Sequence, residues 1–331
     1  MTLLNLLYII IGVALVIWGA DRLTDGAASL ARILHVPEIV IGLTILAAGT
    51  SAPELFVSLV SALKGTPDLA VGNVIGSNIF NAMLIVGCSA VVAPMAISHS
   101  TVRKDIPFAL IVSVLMFLLC FDDMDSPHLW GNEISRSDGM ILLVVFAAFM
   151  IYTFNKARKD GIMPDEEEID DDEEEEKQPI DKKVIWKNVL WMAIGLACLI
   201  FGSDLFVDAA SYIAHRFGVR QSVVGLTIVA GGTSLPELAT SVVAARKGQS
   251  ALAIGNAIGS NVFNILLILG TTAVICPMRI MGISIIDLSM MIISMGLLWL
   301  FAYTKYTVSR REGFLLIGGF MAYMAWLFYL L

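Results

Sequence analysis

The sequence predicts an all-α polytopic membrane protein with ten transmembrane helices, arranged as two inverted repeats of five helices. Three observations lead to this fold class. Of the 331 residues, 57% are apolar and only 15% are charged, and the mean hydropathy of +0.82 lies far above that of soluble domains. Apolar segments of membrane-spanning length recur along the chain, and a long segment of the first half is repeated in the second.

Ten segments are long enough to cross a bilayer, whose hydrocarbon core of roughly 30 Å requires about 20 helical residues. They are predicted at residues 3–31, 38–63, 70–97, 105–121, 138–155, 185–214, 221–245, 252–277, 284–303 and 313–331. The first lacks the basic region of a secretory signal, which predicts a retained helix. Residues 156–184 form the only long polar stretch, and they separate five predicted spans from the other five.

The two groups of spans are sequence repeats. Residues 41–81 align without a gap on residues 224–264, at an offset of 183, with 26 identical residues among 41. The identities are concentrated in glycine, proline and polar residues, which unrelated apolar segments would not share. A repeat of five crossings enters the membrane from opposite sides in its two copies, so the halves 1–155 and 185–331 are predicted to be inverted. Inverted halves are typical of transporters that expose one site to each side in turn.

The basic residues predict the orientation in the membrane. Fifteen Lys and Arg residues fall on the side of the linker 156–184 and five on the other, which places the linker in the cytoplasm and both termini outside. Residues 165–176 contain 11 of the 29 acidic residues, and without them 18 acidic residues face 21 basic ones, so no nucleic-acid partner is indicated. This acidic run is interpreted as a solvated linker, with Ca²⁺ sensing or collection as the alternative.

Each repeat interrupts its second span with a proline and a carboxylate. The motif GTSAPE covers residues 49–54, and GTSLPE covers residues 232–237. Pro53 lacks a backbone N–H and crowds the carbonyl of Gly49, so the helix is predicted to break and to release carbonyl oxygens that lipid cannot satisfy. Carboxylates such as Glu54 inside a membrane usually mark an ion path or a proton site. Protonated carboxyls that only stabilise packing are the alternative.

Helical spacing predicts further oxygen ligands around these carboxylates. In both motifs a threonine and a serine lie four and three residues before the glutamate, on one helix face. Polar residues also recur every four residues in the third span of each repeat. The candidates are Thr50, Ser51, Glu54, Asn73, Ser77 and Asn81 in the first repeat, and Thr233, Ser234, Glu237, Asn256, Ser260 and Asn264 in the second. Such oxygens favour Ca²⁺ or Na⁺ over Zn²⁺ or Mg²⁺.

Other titratable residues carry weaker signals. Four aspartates repeat near the ends of spans one and six and are interpreted as interfacial carboxylates, with cation entry or gating as the alternative: Asp21, Asp25, Asp204 and Asp208. The four cysteines and four histidines occur singly, without the spacing of a metal site, so no cofactor is indicated.

The paired GTSxPE and GNxIGSNxFN segments resemble the two alpha-repeats of the calcium/cation antiporter (CaCA) superfamily, most closely its Na⁺/Ca²⁺ exchanger branch, which includes bacterial calcium/sodium antiporters. The resemblance covers both halves of the chain. It implies exchange of Ca²⁺ for Na⁺ across a bacterial inner membrane, with the ions held by spans 2, 3, 7 and 8. Spans 1 and 6 would slide against this core to change access.

The resemblance also implies residue roles. Glu54 and Glu237 correspond to the Ca²⁺ carboxylates, beside the carbonyls of Thr50 and Thr233. The positions that correspond to Na⁺ ligands are Ala47, Ser51, Ser77, Ala230, Ser234 and Ser260. Asn81 matches the amide of the first repeat, whereas Asn264 replaces an aspartate of some exchangers. Two central carboxylates neutralise one Ca²⁺, and they leave H⁺ as an alternative driving ion.

Two other classes of function are less well supported. A gated cation channel would use the same oxygens as a filter, but antiparallel halves do not form a ring of identical subunits. A membrane metalloenzyme would require a His or Cys cluster, which the sequence lacks. The sequence therefore predicts a transporter whose substrates are Ca²⁺ and Na⁺, with H⁺ as the alternative, and not an enzyme.

Overall fold

The computed structural model describes residues 2–120, 132–160, 182–217, 230–280 and 283–330. The first half contains helices α1 (Thr2–Ile33), α2 (Glu38–Thr50), α3 (Ala52–Leu63), α4 (Pro67–Val92), α5 (Ile106–Leu119) and α6 (Arg136–Asp160). The second half contains α7 (Lys182–Arg216), α8 (Ala230–Thr233), α9 (Leu235–Arg246), α10 (Ser250–Ile275), α11 (Ile285–Lys305) and α12 (Arg310–Leu330). Most of the acidic linker lies outside the described residues.

Seven helices of the described chain are long and apolar enough to cross a membrane, and the bent pair α2–α3 makes eight. They correspond to all the predicted spans except the fourth and the seventh. Helix α5 has only 14 residues and follows a π-helical turn at Thr101–Asp105, and the seventh predicted span begins outside the described residues. An integral membrane protein made of apolar helices is therefore confirmed, whereas the number of ten spans stays a prediction.

The predicted helix breaks are present in both repeats. Between α2 and α3 the chain bends by 46° at Ser51, whose ψ of 6° departs from the helical value. Ser234 has the same conformation, with ψ of 8°, between α8 and α9. Pro53 and Pro236 each lie in the first turn of the following helix, where a missing N–H costs no helical hydrogen bond. The prolines thus start a new helix close to each carboxylate.

Three π-helical stretches lie inside α2, α4 and α10, and the sequence did not predict them. They span Gly42–Leu46, Phe80–Ile85 and Phe263–Leu269. A π turn accommodates one extra residue and often occurs at functional sites. Asn81 and Asn264 each occupy the second position of such a stretch, so both candidate ligands lie where the helical register changes.

Helices α4 and α10 form the centre of the molecule. In the most apolar segment of α4, 72% of the residues are buried, and in that of α10, 78% are buried. The corresponding segments of the other five helices of spanning length are 17–33% buried. The outer helices therefore leave most of their apolar surface outside the molecule, where lipid tails would accept apolar side chains as readily as a protein interior does.

Helices α1 and α7 approach each other through glycines. A Cβ on Gly12 would lie 2.7 Å from the carbonyl oxygen of Gly202, and a Cβ on Gly19 would lie 2.6 Å from that of Gly195. The 183-residue offset relates Gly12 to Gly195 and Gly19 to Gly202, so each contact is the counterpart of the other. Only glycine permits this backbone distance.

Two short antiparallel strand pairs connect the halves, which the all-α prediction missed. Strand β1 (Met95–Ala96) pairs with β4 (Thr307–Val308), and β2 (Asn132–Ile134) pairs with β3 (Met278–Ile280). In both pairs, the strand that follows the central helix of one half binds the strand that precedes the last helix of the other half. Segments of two or three residues carry too little sequence pattern to be recognised.

Candidate cation-binding site

The two carboxylates predicted from the duplicated motif are buried and bind the opposite repeat. The Ser51 hydroxyl donates to Glu237 Oε1 over 3.0 Å, and the Ser234 hydroxyl donates to Glu54 Oε1 over 3.0 Å. The glutamates are 0% and 1% exposed. Since each residue makes the contact that its counterpart makes, the two repeats meet here with two-fold pseudosymmetry.

Further polar groups surround each carboxylate. The Thr233 side chain interacts with Glu54, as the Thr50 side chain does with Glu237. The Ser234 hydroxyl also lies 3.1 Å from Ser77 Oγ. These contacts place the threonine and serine of both motifs beside the glutamate of the other repeat, a pairing that helical spacing within one repeat does not reveal.

Two asparagines of the predicted polar stripes connect neighbouring helices. Asn73 Nδ2 donates to the Glu54 carbonyl over 3.3 Å and to Ser58 Oγ over 3.0 Å. Its counterpart Asn256 donates to the Glu237 carbonyl over 3.4 Å and to the equivalent serine of α9 over 3.0 Å. Both therefore fix the backbone that carries a glutamate, and Asn256 also lies 3.2 Å from the Thr50 hydroxyl.

Several buried oxygens of the predicted ligands have no hydrogen-bond partner within the described chain. They are Glu54 Oε2, Asn81 Oδ1, Glu237 Oε2, Ser260 Oγ and Asn264 Oδ1. An unsatisfied buried polar atom costs about 1–3 kcal/mol, and more when it is charged. Four of the five atoms are carboxylate or amide oxygens, which accept hydrogen bonds and do not donate them. A bound cation can satisfy such oxygens. The residues present therefore fit a hard cation.

The two carboxyl groups of the site have no basic partner among the described residues. No ion pair involves either glutamate in the part of the chain that the structure describes. Two ionised carboxylates give a charge of −2, equal and opposite to that of one Ca²⁺. About six to eight oxygens at about 2.3–2.6 Å satisfy Ca²⁺, and the serine, threonine, amide and backbone oxygens nearby can supply the neutral remainder.

The two alanines of the predicted set lie at the interrupted helices. Ala47 is fully buried, and its carbonyl accepts the Ser51 amide over 3.0 Å and lies 3.5 Å from the Thr50 hydroxyl. This carbonyl, which the helix break was expected to release, therefore keeps a backbone partner. Ala230 is the first residue of α8, and the twelve residues before it lie outside the described chain.

The repeated aspartates behave differently in the two halves. Lys247 Nζ lies 2.7 Å from both Asp21 Oδ1 and Asp25 Oδ1, so the pair on α1 forms a partly exposed ion cluster. Among the described residues, no ion pair involves Asp204 or Asp208 on α7. The Lys247 contact could not be predicted from the sequence, because that residue lies more than 220 positions from its partners.

Sequence reasoning also missed two buried asparagines of the duplicated motif, Asn78 and Asn261. Asn81 Nδ2 donates to Asn261 Oδ1 over 3.0 Å, and Asn264 Nδ2 donates to Asn78 Oδ1 over 3.1 Å. Both residues are identical in the two repeats and polar within apolar helices, which was the available signal. They contact candidate ligands and lie between α4 and α10.

Comparisons with known proteins identify the family of the chain. The profile of a family described as "Sodium/calcium exchanger protein" matches residues 4–155 and 187–329. Inner membrane protein YrbG of Escherichia coli is 35% identical over 328 residues, which cover 97% of this chain and 96% of that one. Sodium/calcium exchanger MaX1 of Methanosarcina acetivorans is 31% identical over 354 residues, which cover both chains fully.

Solved structures share the fold. A structure of the sodium-calcium exchanger NCX_Mj, soaked with 10 mM Na⁺ and zero Ca²⁺, superposes with a TM-score of 0.82 at 29% identity. The match covers 98% of this chain and 99% of the other. The helical architecture of the described residues is thus that of a known transporter.

Proposed function

The chain belongs to the sodium/calcium exchanger family, which is a family of transporters and not of enzymes, and on that premise we propose that it exchanges Ca²⁺ for Na⁺ as a secondary antiporter. The observation that carries the proposal is the reciprocal Glu54–Glu237 arrangement with its unsatisfied oxygens. Two carboxylates from opposite repeats, each buried, form one site that can serve both ions. Such a site near the bilayer centre exposes its ion to each side in turn.

Competition for the same carboxylates couples the two ions. In each glutamate Oε1 accepts a serine hydroxyl, and Oε2 stays available to a cation. Because the empty site leaves both Oε2 atoms buried and unsatisfied, crossing the membrane without an ion is unfavourable. Transport of one ion species therefore depends on return of the other.

The charge of the site bears on the coupling ratio. Glu54 and Glu237 balance one Ca²⁺ or two Na⁺, and Asn264 adds an oxygen but no charge. H⁺/Ca²⁺ antiport is the second candidate function, and the observation that favours it is this pair of buried carboxyls without a third, since two protons also neutralise them.

The membrane arrangement completes the proposal. We place the protein in a bacterial inner membrane, in agreement with the name of the E. coli relative. Residues 1–155 and 185–331 form inverted five-helix repeats, both termini lie outside, and the acidic linker 156–184 is cytoplasmic. The reciprocal contacts between the repeats support this arrangement.

Transport by the purified protein in lipid vesicles tests the proposal. Uptake of ⁴⁵Ca²⁺ is measured under an imposed Na⁺ gradient and, separately, under an imposed pH gradient. We expect uptake with the Na⁺ gradient alone. Uptake with the pH gradient alone would establish the second candidate, and flux without either gradient would indicate a channel. Glu133→Gln, a substitution at an exposed carboxylate that pairs with Arg279, serves as the control.

A further inference from the structure

Four buried asparagines are linked by hydrogen bonds between α4 and α10, and Asn78 Nδ2 also lies 3.8 Å from the Met291 sulfur of α11. The set, which we call the amide clamp, consists of Asn78, Asn81, Asn261 and Asn264, and each residue is at most 2% exposed. Asn81 and Asn264 are candidate ligands, whereas Asn78 and Asn261 contact those ligands without being candidates themselves. Each of the latter two bonds to both the backbone and a side chain of the opposite helix.

The backbone contact fixes the orientation of Asn78. Its Nδ2 lies 3.4 Å from the carbonyl oxygen of Asn261, which can only accept a hydrogen bond. A reversed amide would place two acceptor oxygens against each other, so the oxygen of Asn78 must face the other way. There it accepts Nδ2 of Asn264 over 3.1 Å. The orientation of Asn264 thus follows from a backbone carbonyl two bonds away in the network.

The same chain of contacts runs in the opposite direction. Asn261 Nδ2 lies 3.3 Å from the Asn78 carbonyl oxygen, and Asn261 Oδ1 accepts Nδ2 of Asn81 over 3.0 Å. Both ligand amides therefore have their NH₂ group held by the clamp. Their Oδ1 atoms take no part in it and are among the buried oxygens without a partner in the described chain.

We propose that Asn78 and Asn261 are positioning residues that hold the Asn264 and Asn81 amides with their oxygens toward the cation. This inference rests on the proposed function, because it assumes that the site binds Ca²⁺ or Na⁺. Without the clamp, an amide can rotate by half a turn and present NH₂ to the ion, which repels it. The clamp thereby converts a residue that both donates and accepts into one that only accepts.

The clamp predicts that loss of Asn78 has different effects when residue 264 is asparagine and when it is aspartate. A carboxylate there has no hydrogen to donate and would set a charged oxygen against Asn78 Oδ1. It needs no orientation, however, since both of its oxygens accept. The substitution Asn78→Ala should therefore weaken cation binding when residue 264 is asparagine, and should not weaken it when residue 264 is aspartate.

A double-mutant cycle tests this reversal. Asn78→Ala, Asn264→Asp and the double variant are purified, and their half-saturating Ca²⁺ and Na⁺ concentrations are measured by ⁴⁵Ca²⁺ binding and Na⁺ competition. We expect Asn78→Ala alone to raise the value for Ca²⁺ about tenfold, equivalent to about 1.4 kcal/mol. In the Asn264→Asp background, Asn78→Ala should leave the half-saturating Ca²⁺ concentration unchanged or lower it. The matched cycle Asn261→Ala with Asn81→Asp provides the same test if the first pair fails to fold.

A purely structural role gives a different result. If Asn78 only stabilised helix packing, its replacement would have the same effect in both backgrounds, and equal effects, or none, would overturn the proposal. The control Ser294→Ala removes a buried hydroxyl of α11 that donates within its own helix, and it should change neither ion's half-saturation. Binding measurements on the purified protein separate the proposed antiport from the proposed role of the clamp. Wild-type protein that binds Ca²⁺ but does not exchange it refutes the antiport, and the double-mutant cycle still tests the clamp. Wild-type protein that binds neither ion refutes both.

Discussion

Replacing Glu237 by glutamine should remove most of the Ca²⁺ affinity while the protein still folds. The carboxylate accepts the Ser51 hydroxyl at Oε1, and a glutamine oxygen can keep that bond. The NH₂ group then takes the place of the unsatisfied Oε2 and presents hydrogens to the ion. Loss of one partner in a buried, hydrogen-bonded charge pair costs about 2–5 kcal/mol. Even the lower value raises the dissociation constant about 30-fold.

Thermal unfolding of the purified protein with and without Ca²⁺ measures this loss. At a concentration 100 times its dissociation constant, a ligand that binds only the folded state stabilises it by about 2.7 kcal/mol. A 30-fold weaker variant at the same concentration retains about 0.9 kcal/mol. In the absence of Ca²⁺ the variant should be at least as stable as the wild type, since it lacks a buried charge.

The reciprocal contacts supply an internal comparison. Glu54→Gln removes the counterpart carboxylate, whose Oε1 accepts Ser234, and should reduce the Ca²⁺-dependent stabilisation to a similar extent. Glu133→Gln alters an exposed carboxylate that pairs with Arg279, and it should retain the full effect. If either buried variant kept the stabilisation by Ca²⁺ seen in the wild type, the assignment of the site would be wrong.

Three further predictions concern the contact between α1 and α7, the ion cluster of Lys247 and the acidic linker. Gly19→Ala should lower the free energy of unfolding by about 1–3 kcal/mol, because the new Cβ would overlap the α7 backbone. Gly296→Ala, whose new Cβ would meet nothing within 4 Å, should instead raise the free energy of unfolding by about 0.5–1 kcal/mol. The unfolding temperatures of the two variants distinguish these outcomes. Lys247→Gln breaks a partly exposed ion cluster and should lower the free energy of unfolding by about 1 kcal/mol or less. Lys64→Gln should lower it by less, because the Lys64 side chain forms no ion pair in the described chain. Equal losses of stability in the two variants would contradict the pairing. Deletion of residues 165–176 should leave the Ca²⁺ dependence of vesicle transport unchanged, and an altered dependence would show that the acidic run senses or collects Ca²⁺.

The duplicated motif made the location of the candidate site predictable. Glycine, proline and a carboxylate inside an apolar segment violate the rules of a simple membrane helix, and their recurrence at a fixed offset marks them as functional. The break at Ser51 followed from the missing N–H of Pro53, which is a local property of the chain. Burial of Glu54 and its counterpart followed from the length of the spans.

Contacts between the halves could not be predicted in the same way. The pairing of Ser51 with Glu237 depends on how α3 and α9 cross, which no spacing within one repeat encodes. The same holds for Asn78, whose role depends on a backbone carbonyl of α10. The π-helical stretches have no strong sequence signal either, because one extra residue per turn leaves the apolar pattern almost unchanged.

The ion cluster of Lys247 has a consequence for the proposed exchange cycle. Its counterpart Lys64 and the aspartates Asp204 and Asp208 form no such cluster among the described residues, although the chemistry of both sets is the same. A form in which the two halves exchange these arrangements would lose one cluster and gain an equivalent one. If access alternates as proposed, this cluster therefore favours neither form over the other.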